Sequence, residues 1–304
     1  MAFHRHQITG TRLGPKLLII GGVHGDEYEP IAAIRRLIEE VTPEQLSGSL
    51  TCIPIVNEPA FLRVSRTGPD GLDLARTFPG REGGTITEEI AFAATRFIRE
   101  ADYLIDLHTG GLAARISPLT GYVLHQDQEI RRQQQQMAEA FNLPIVWGTT
   151  ATLNGRSLSV ARDANVPAIY AEWGGGGGCQ SQGVDDYVQG CLNVMQMLGM
   201  RDSTSQASRL SYIVEDFRED SGVLQKNYPA EVPGYFEPAV ELGDAVQLGD
   251  TLGWIHQMTA EPPVAVKSRQ NGMVILLRAI PAVNTGDFLA VILEVNGPGE
   301  FHHE

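Results

Sequence analysis

Apolar residues in the first two-thirds of the chain follow two alternating patterns, short uninterrupted runs and longer stretches with helical spacing. The run KLLII (16–20) predicts a buried strand, and apolar positions three and four apart predict a helix over 28–40. The succession continues with further strands and helices in the segments LTCIPIV, TITEEIAFAATRFIRE, YLIDLHT, EIRRQQQQMAEAFNL and PAIYAEWG. This alternation predicts an α/β fold with a mixed, mainly parallel sheet and helices on both faces.

The pattern changes after the polar segment RDSTSQASR. Residues 210–304 are rich in Val, Gly, Pro and Asp, and Gly-Asp steps such as 243–244 separate short apolar runs. Regular turns between short runs predict a small antiparallel β domain. We therefore predict two parts, an α/β part over 1–206 and a β-rich part over 207–304 that is structural or forms one wall of a cleft.

Composition narrows the range of partners. The chain has 304 residues, 42% of them hydrophobic, which is enough apolar material for a large buried core. Its net charge of −14 argues against nucleic acid or an anionic membrane as a partner, because either would require a concentrated basic surface. Three cysteines without a CxxC pair argue against a disulfide framework, and no leader-like or membrane-spanning stretch stands out. We expect a cytoplasmic protein.

The stretch GGVHGDE after the first predicted strand contains two candidate metal ligands, His24 and Glu27, three residues apart. One helical turn at a strand–helix junction can direct both side chains at one ion, and the neighbouring glycines allow a tight bend. His108, at the end of YLIDLH, is the candidate third ligand, and Asp106 on the same strand face could hold its other ring nitrogen. Two histidines and one glutamate form a ligand set typical of catalytic zinc.

A simpler interpretation of these residues remains open. Acidic residues such as Asp26 and Glu27 are favoured in the first turn of a helix by capping and by the helix dipole, without any metal. His24 would then be a loop histidine, and His108 a core histidine with an ordinary hydrogen-bond partner. We predict that both interpretations hold in part, with Asp26 capping the helix while Glu27 faces a metal.

Two further segments contain candidate chemistry. Arg66, Asp73 and Arg76 lie in a Gly/Pro-rich loop, a position typical of ligand contact, although a solvated loop is the alternative. An arginine there could stabilise an oxyanion or bind a carboxylate. Glu172 ends a hydrophobic strand before five glycines at 174–178. Partial burial would raise its pKa into a range suited to a general base, and a structural ion pair is the alternative.

Taken together, GGVHGDE, the strand end DLH, the segment DGLDLARTFPG and a strand-terminal E-x-G resemble the succinylglutamate desuccinylase/aspartoacylase family of the zinc carboxypeptidase clan, over nearly the whole chain. The resemblance implies a zinc carboxypeptidase-like catalytic domain and one zinc ion per chain, bound by His24, Glu27 and His108. It also implies that Glu172 is the general base, that Arg66 polarises the substrate carbonyl, and that the protein is a homodimer.

The chain departs from the family's pattern at one substrate-binding position. Arg76 matches the arginine of the family's DLNR motif, which grips the substrate carboxylate, but the asparagine of that motif is Ala75 here. Half of the usual carboxylate-binding pair is therefore absent, and the acyl group and the amine stay open. Asp73 in the same loop is a candidate substrate-binding residue. Arg156 and Arg162 are further candidates, because the family also uses an arginine upstream of its general base.

These residues predict zinc-dependent hydrolysis of an amide bond in a small N-acyl amino acid or a related compound. Two alternatives stay open. A zinc carboxypeptidase acting on short peptides would use the same groups in a longer cleft. A non-catalytic binding protein would keep the fold without the reaction. A comparison of N-acetyl amino acids with dipeptides as substrates separates the first two functions.

Overall fold

The computed structural model describes residues 3–202, 206–219, 221–224 and 227–295. The predicted boundary at residue 206 therefore adjoins positions outside the described residues, and the predicted β-rich part extends beyond them at 296–304. Among the described residues, no helix combines the length and the apolar character that crossing a bilayer requires. The homodimer and the cytoplasmic location stay predictions.

The chain alternates between strands and helices up to residue 197 and then continues mainly as strands. The helices are α1 (Glu29–Glu40), α2 (Glu58–Leu62), α3 (Ile86–Glu100), α4 (Gln128–Phe141), α5 (Ser157–Asp163) and α6 (Ser181–Met197). The strands before residue 197 are β1 (His6–Thr9), β2 (Arg12–Ile20), β3 (Ser47–Ile53), β4 (Tyr103–His108), β5 (Ala114–Val123), β6 (Ile145–Thr149) and β7 (Ala168–Gly175). Those after it are β8 (Tyr212–Glu215), β9 (Gly234–Pro238), β10 (Ala245–Val246), β11 (Thr251–His256), β12 (Val264–Lys267), β13 (Gly272–Arg278), β14 (Ala282–Val283) and β15 (Ala290–Leu293).

The central strands of the large sheet run in the order β3-β2-β4-β7-β5. The first four of these are parallel neighbours, and β5 is antiparallel to β7. Because parallel strands end at the same edge of a sheet, the carboxyl ends of β2, β4 and β7 lie side by side. That edge is where the chain places its candidate functional residues.

Both faces of this sheet are covered by helices. Along β2, Leu17 and Ile19 pack into a core formed with α1, α4 and α6, whereas Leu18 and Ile20 pack into a second core formed with α3 and α5. Successive side chains of a strand point to opposite faces, so an uninterrupted apolar run is what a sheet between two helical layers requires. The predicted α/β fold with a mainly parallel central sheet is confirmed.

Helix α3 begins with a capping box, whereas α1, which begins within one residue of its predicted start, has no side-chain cap. Thr85 and Glu88 form the capping box of α3, in which Glu88 Oε2 accepts the Thr85 N–H at 2.8 Å. The N-cap of α1 is Tyr28, without a side-chain capping bond. Asp26 lies too far before the helix to cap it and instead accepts the Leu112 N–H at 3.0 Å. The prediction that Asp26 caps α1 is wrong.

The segment after residue 207 contributes to two sheets. Strand β5 pairs along one edge with β13 at its start and with β6 at its end, and β6 in turn pairs with β8. The strands β12, β11, β9 and β14 form a separate antiparallel sheet of four strands. The segment is β-rich as predicted, but part of it completes the large sheet. The division of the chain into two domains stays a prediction.

Candidate active site

A cleft of about 160 Å³ opens at the carboxyl ends of β2, β4 and β7. Its lining combines charged residues from these strand ends and their loops with apolar residues from both parts of the chain. The segment after residue 207 contributes one wall, made of Gly222, Leu224, Leu276 and Phe288. All of the predicted catalytic and metal-binding residues line this cleft, namely His24, Glu27, Arg66, His108 and Glu172.

The carboxylate of Glu27 lies between two imidazoles. Glu27 Oε1 is 2.7 Å from His24 Nδ1, and Glu27 Oε2 is 3.1 Å from His108 Nδ1. One donor atom from each of the three residues lies within 4.8 Å of the other two. Donor atoms about 2.0–2.2 Å from a tetrahedral zinc ion lie roughly 3.3 Å from one another. Small side-chain movements would therefore bring these three groups onto one ion.

A second carboxylate lies near the Nε2 atom of each imidazole. His24 Nε2 lies 3.2 Å from Asp73 Oδ1, and His108 Nε2 lies 3.1 Å from Asp106 Oδ1. A carboxylate at one ring nitrogen favours the tautomer in which the other nitrogen presents its lone pair, and it also fixes the ring orientation. The structure thus brings Asp106 to its predicted position. It places Asp73, predicted to bind substrate, beside a candidate ligand.

The charges in this cluster determine its protonation. Burial by itself would raise the pKa of Glu27, but the charges of His24 and His108 lower it far below the usual range of a glutamate. Burial would lower the pKa of His108, but Asp106 and Glu27 raise it well above its ordinary value. The Thr109 N–H also donates to Glu27 Oε2 at 3.2 Å. Glu27 is therefore an ionised, buried carboxylate, which is the form that binds a cation.

A close backbone approach explains the glycine at position 25, between the candidate ligands His24 and Glu27. A Cβ on Gly25 would lie 2.1 Å from the carbonyl carbon of Ala60, so helix α2 could not pack there against any larger residue. The Gly25 N–H donates to the Ser65 carbonyl at 3.0 Å. Arg66 follows Ser65 directly in the chain. The glycine therefore allows the arginine-bearing loop to lie against the turn that carries His24 and Glu27.

Arg66 and Glu172 are both neighbours of this cluster. Arg66 Nε donates to Asp73 Oδ2 at 3.0 Å, and its Nη1 is 3.9 Å from Glu27 Oε1. Glu172 lies directly opposite His108 in the pairing of β7 with β4. Burial raises the pKa of Glu172 to about 8, an increase that His108 opposes and the negative charge of Glu27 reinforces. A carboxyl group with such a pKa is suited to exchange protons near neutral pH.

Of the three other candidate arginines, two reach the cleft. Arg76 and Arg156 line it, and Arg156 Nη1 donates to the Gly222 carbonyl at 3.1 Å. Burial lowers the pKa of Arg156 to about 10, so the guanidinium stays charged. Arg162 is outside the lining, and its guanidinium binds the Asn154 side chain at 2.8 Å. The structure therefore does not bring Arg162 to the site.

The five glycines after Glu172 have a defined conformation. Residues 174–178 all adopt positive φ, from 61° to 103°, a region that residues with side chains rarely occupy. The N–H groups of Gly176 and Gly177 donate to the Gly111 carbonyl, at 2.7 and 3.1 Å. The run therefore packs against the loop that follows His108, at the edge of the cleft.

Sequence reasoning missed other polar residues of the site. The Ser157 hydroxyl donates to Asp106 Oδ2, and no local pattern could have predicted this contact between α5 and β4. Tyr170 lines the cleft two residues before Glu172. Strand alternation places these two side chains on one face, so the sequence held a signal for Tyr170 that went unused.

Sequence comparisons find known proteins similar to this chain. A sequence profile of the succinylglutamate desuccinylase/aspartoacylase catalytic domain matches residues 13–198. The N-alpha-acetyl-L-2,4-diaminobutyric acid deacetylase of Halomonas elongata is 32% identical over 289 residues, which cover 93% of this chain and 83% of that protein.

Two solved structures have a fold similar to that of this chain. A succinylglutamate desuccinylase/aspartoacylase from Rhodobacter sphaeroides superimposes with a TM-score of 0.86 at 30% identity, over 96% of this chain and 89% of that one. The product-bound ectoine utilization protein EutE (DoeB) from Ruegeria pomeroyi gives a TM-score of 0.86 at 29% identity, over 95% and 87% of the two chains.

Proposed function

The chain belongs to the succinylglutamate desuccinylase/aspartoacylase family, and from that premise we propose that it is a zinc-dependent deacylase of small N-acyl amino acids. Membership places it among the amidohydrolases of the deacylase group. Zinc, the general base and the substrate class are parts of the proposal. The observation that supports it most directly is the convergence of His24 Nδ1 and His108 Nδ1 on the Glu27 carboxylate.

The donor set fits a catalytic zinc ion. Two imidazole nitrogens and one carboxylate oxygen leave a fourth tetrahedral position for water. Zinc bound there would act as a Lewis acid and lower the pKa of a water molecule to about 7. His24 and His108 would each keep a carboxylate at the outer ring nitrogen, which holds the ring in place during the reaction.

The remaining residues supply proton transfer and charge stabilisation. Glu172 lines the cleft beside His108, its partner in the pairing of β4 with β7, and there it accepts a proton from the attacking water and later donates it to the leaving nitrogen. The Arg66 guanidinium stabilises the negative charge that develops on the carbonyl oxygen. A single donor of this kind contributes about 3–4 kcal/mol to stabilisation of the transition state. The Asp73 carboxylate accepts a hydrogen bond from Arg66 Nε and thereby fixes the orientation of the Arg66 guanidinium.

The substrate is a small molecule with a carboxylate. Arg76 and Arg156 line the cleft and supply positive charge for a carboxylate. The cleft volume of about 160 Å³ is smaller than the roughly 300–1,000 Å³ of sites for drug-sized ligands, which favours an N-acyl amino acid over a peptide. The Halomonas relative is named for an N-acetylated amino acid, and that compound is the first substrate to test.

Metal analysis followed by an activity panel on the same sample tests the proposal. The panel contains N-acetyl amino acids, including N-α-acetyl-L-2,4-diaminobutyric acid, and matched dipeptides. We expect about one zinc ion per chain and faster hydrolysis of an N-acetyl amino acid than of any dipeptide. Preference for dipeptides would indicate a carboxypeptidase, and a metal-loaded protein inert on every amide would indicate a binding protein.

Asp106→Asn is expected to weaken zinc binding by about 10- to 100-fold, because an amide replaces the carboxylate at the outer nitrogen of His108. Competition with a chromophoric chelator measures this affinity. Asp102→Asn is the matched control, since Asp102 accepts only the exposed Lys16 N–H among the described side-chain bonds. Equal zinc affinity of the wild type and Asp106→Asn would refute the supporting role of Asp106.

A further inference from the structure

We propose that Tyr170 determines substrate specificity by donating a hydrogen bond to the substrate carboxylate beside Arg156, and so replaces the asparagine that this chain lacks at Ala75. The inference rests on the proposed function, because it deepens the description of the same site. It concerns how this chain recognises the acid group of its substrate when one of the family's two carboxylate-binding residues is missing.

The position of the Tyr170 ring is fixed by the strand beside it. Tyr170 pairs with Gly121 across β7 and β5, and a Cβ on Gly121 would lie 2.1 Å from Cζ of the tyrosine ring. The ring therefore fills the space that a side chain at residue 121 would need. Because Tyr170 and Glu172 are two residues apart on one strand, both face the cleft, and both line it.

The hydroxyl of Tyr170 is available to a ligand. Within the described residues it makes no hydrogen bond, whereas the hydroxyls of the buried Tyr122 and Tyr187 are bonded to Glu215 and to the His108 carbonyl. Half-buried tyrosine hydroxyls ordinarily find a partner. Burial and the negative charge of Glu172 raise the pKa of Tyr170 above its usual value, so this group remains a donor.

The surroundings of Tyr170 favour an anion. Arg156 and Arg76 line the same cleft, and the charge of Arg156 acts on Tyr170 while that of Arg76 acts on Arg156. A carboxylate has about four lone-pair sites, which one or two guanidinium groups leave partly unfilled. A neutral N–H or O–H donor beside an arginine completes such a site. Ala75 has no donor in its side chain, and Tyr170 supplies one.

Equilibrium binding to a protein that does not turn over tests this assignment. Titration calorimetry would compare Glu172→Gln with the double variant Glu172→Gln/Tyr170→Phe, both zinc-loaded. The ligands are N-acetyl-L-alanine and N-α-acetyl-L-2,4-diaminobutyric acid, each with its carboxamide. Loss of a hydrogen bond to a charged group is expected to raise Kd by about 10- to 100-fold for the acids. Kd for the carboxamides should not change.

Two further variants keep the result interpretable. Tyr122→Phe, in the Glu172→Gln background, removes a tyrosine hydroxyl bonded to Glu215 outside the cleft and should leave every Kd unchanged. Ala75→Asn, added to the double variant, should restore part of the lost affinity for the acids. The thermal midpoint of each variant verifies folding.

Several results would overturn the assignment. They are an equal loss of affinity for acids and carboxamides, no preference of the parent for acids, and no rescue by a folded Ala75→Asn variant. Failure of the proposed function would appear separately, as an absence of hydrolysis by the wild-type enzyme. The binding comparison is informative in either case.

Discussion

Glu172→Gln is expected to lower kcat for N-acyl amino acid hydrolysis by about 10²–10⁴-fold, the usual contribution of a positioned general acid–base. The amide has the shape of the carboxylate but cannot accept a proton from water or return it to the leaving nitrogen. Its neighbours should be undisturbed, because the Glu172 side chain has no hydrogen-bond partner among the described residues. Steady-state kinetics with the best substrate of the panel measures the change, and KM should move far less than kcat.

Two controls make this prediction specific. Zinc content per chain must equal that of the wild type, so that a lost metal does not imitate a lost base. Glu237→Gln, at an exposed carboxylate paired with His256, makes the same chemical change outside the cleft and should leave kcat unchanged. If Glu172→Gln kept wild-type kcat with zinc bound, another group would have to carry the proton.

The candidate metal cluster could be predicted because its geometry is mostly local. His24 and Glu27 share one turn, and His108 ends a strand whose partner β2 ends just before that turn. A strand–helix pattern read from apolar spacing is sufficient to place the ends of parallel strands together. The position of Asp106 beside His108 also followed from strand alternation.

Contacts that depend on loop paths and helix register could not be predicted in the same way. Arg156 precedes α5 and Arg162 lies in its last turn, and only the actual start of the helix at Ser157 decides which one faces the cleft. Asp73 lies in a loop whose path depends on its contacts with His24 and Arg66. Its neighbours in the sequence therefore say little about the direction of its carboxylate.

The second part of the chain shows a further limit. Short apolar runs separated by Gly-Asp turns predict strands but contain no information about which sheet each strand joins. β13 completes the large sheet beside β5, and Leu276 of that strand reaches the cleft. Strand β13 pairs with β5, which lies more than 150 residues earlier in the chain, because β5 offers it an edge with unpaired backbone groups. The sequence of residues 207–304 contains no information about that edge.

Removal of the metal is expected to abolish hydrolysis, with a loss of at least about 10³-fold, because neither Glu172 nor Arg66 can by itself activate water at neutral pH. Dialysis against a chelator should give the inactive protein, and about one equivalent of zinc per chain should restore it. Binding should also stabilise the fold, by about 4 kcal/mol when free zinc is 1,000 times Kd, which raises the thermal midpoint.

His108→Ala should give the same inactivity without recovery, since only His24 and Glu27 would remain as ligands. His256→Ala is the matched control, because this histidine contacts Glu237 at an exposed site outside the cleft lining and should leave zinc content and kcat unchanged. The thermal shift reports binding without reference to activity, so the metal site and the reaction are tested separately. Full activity at less than about 0.1 zinc per chain would exclude the metal's proposed role, because a required ion must be present in every active molecule.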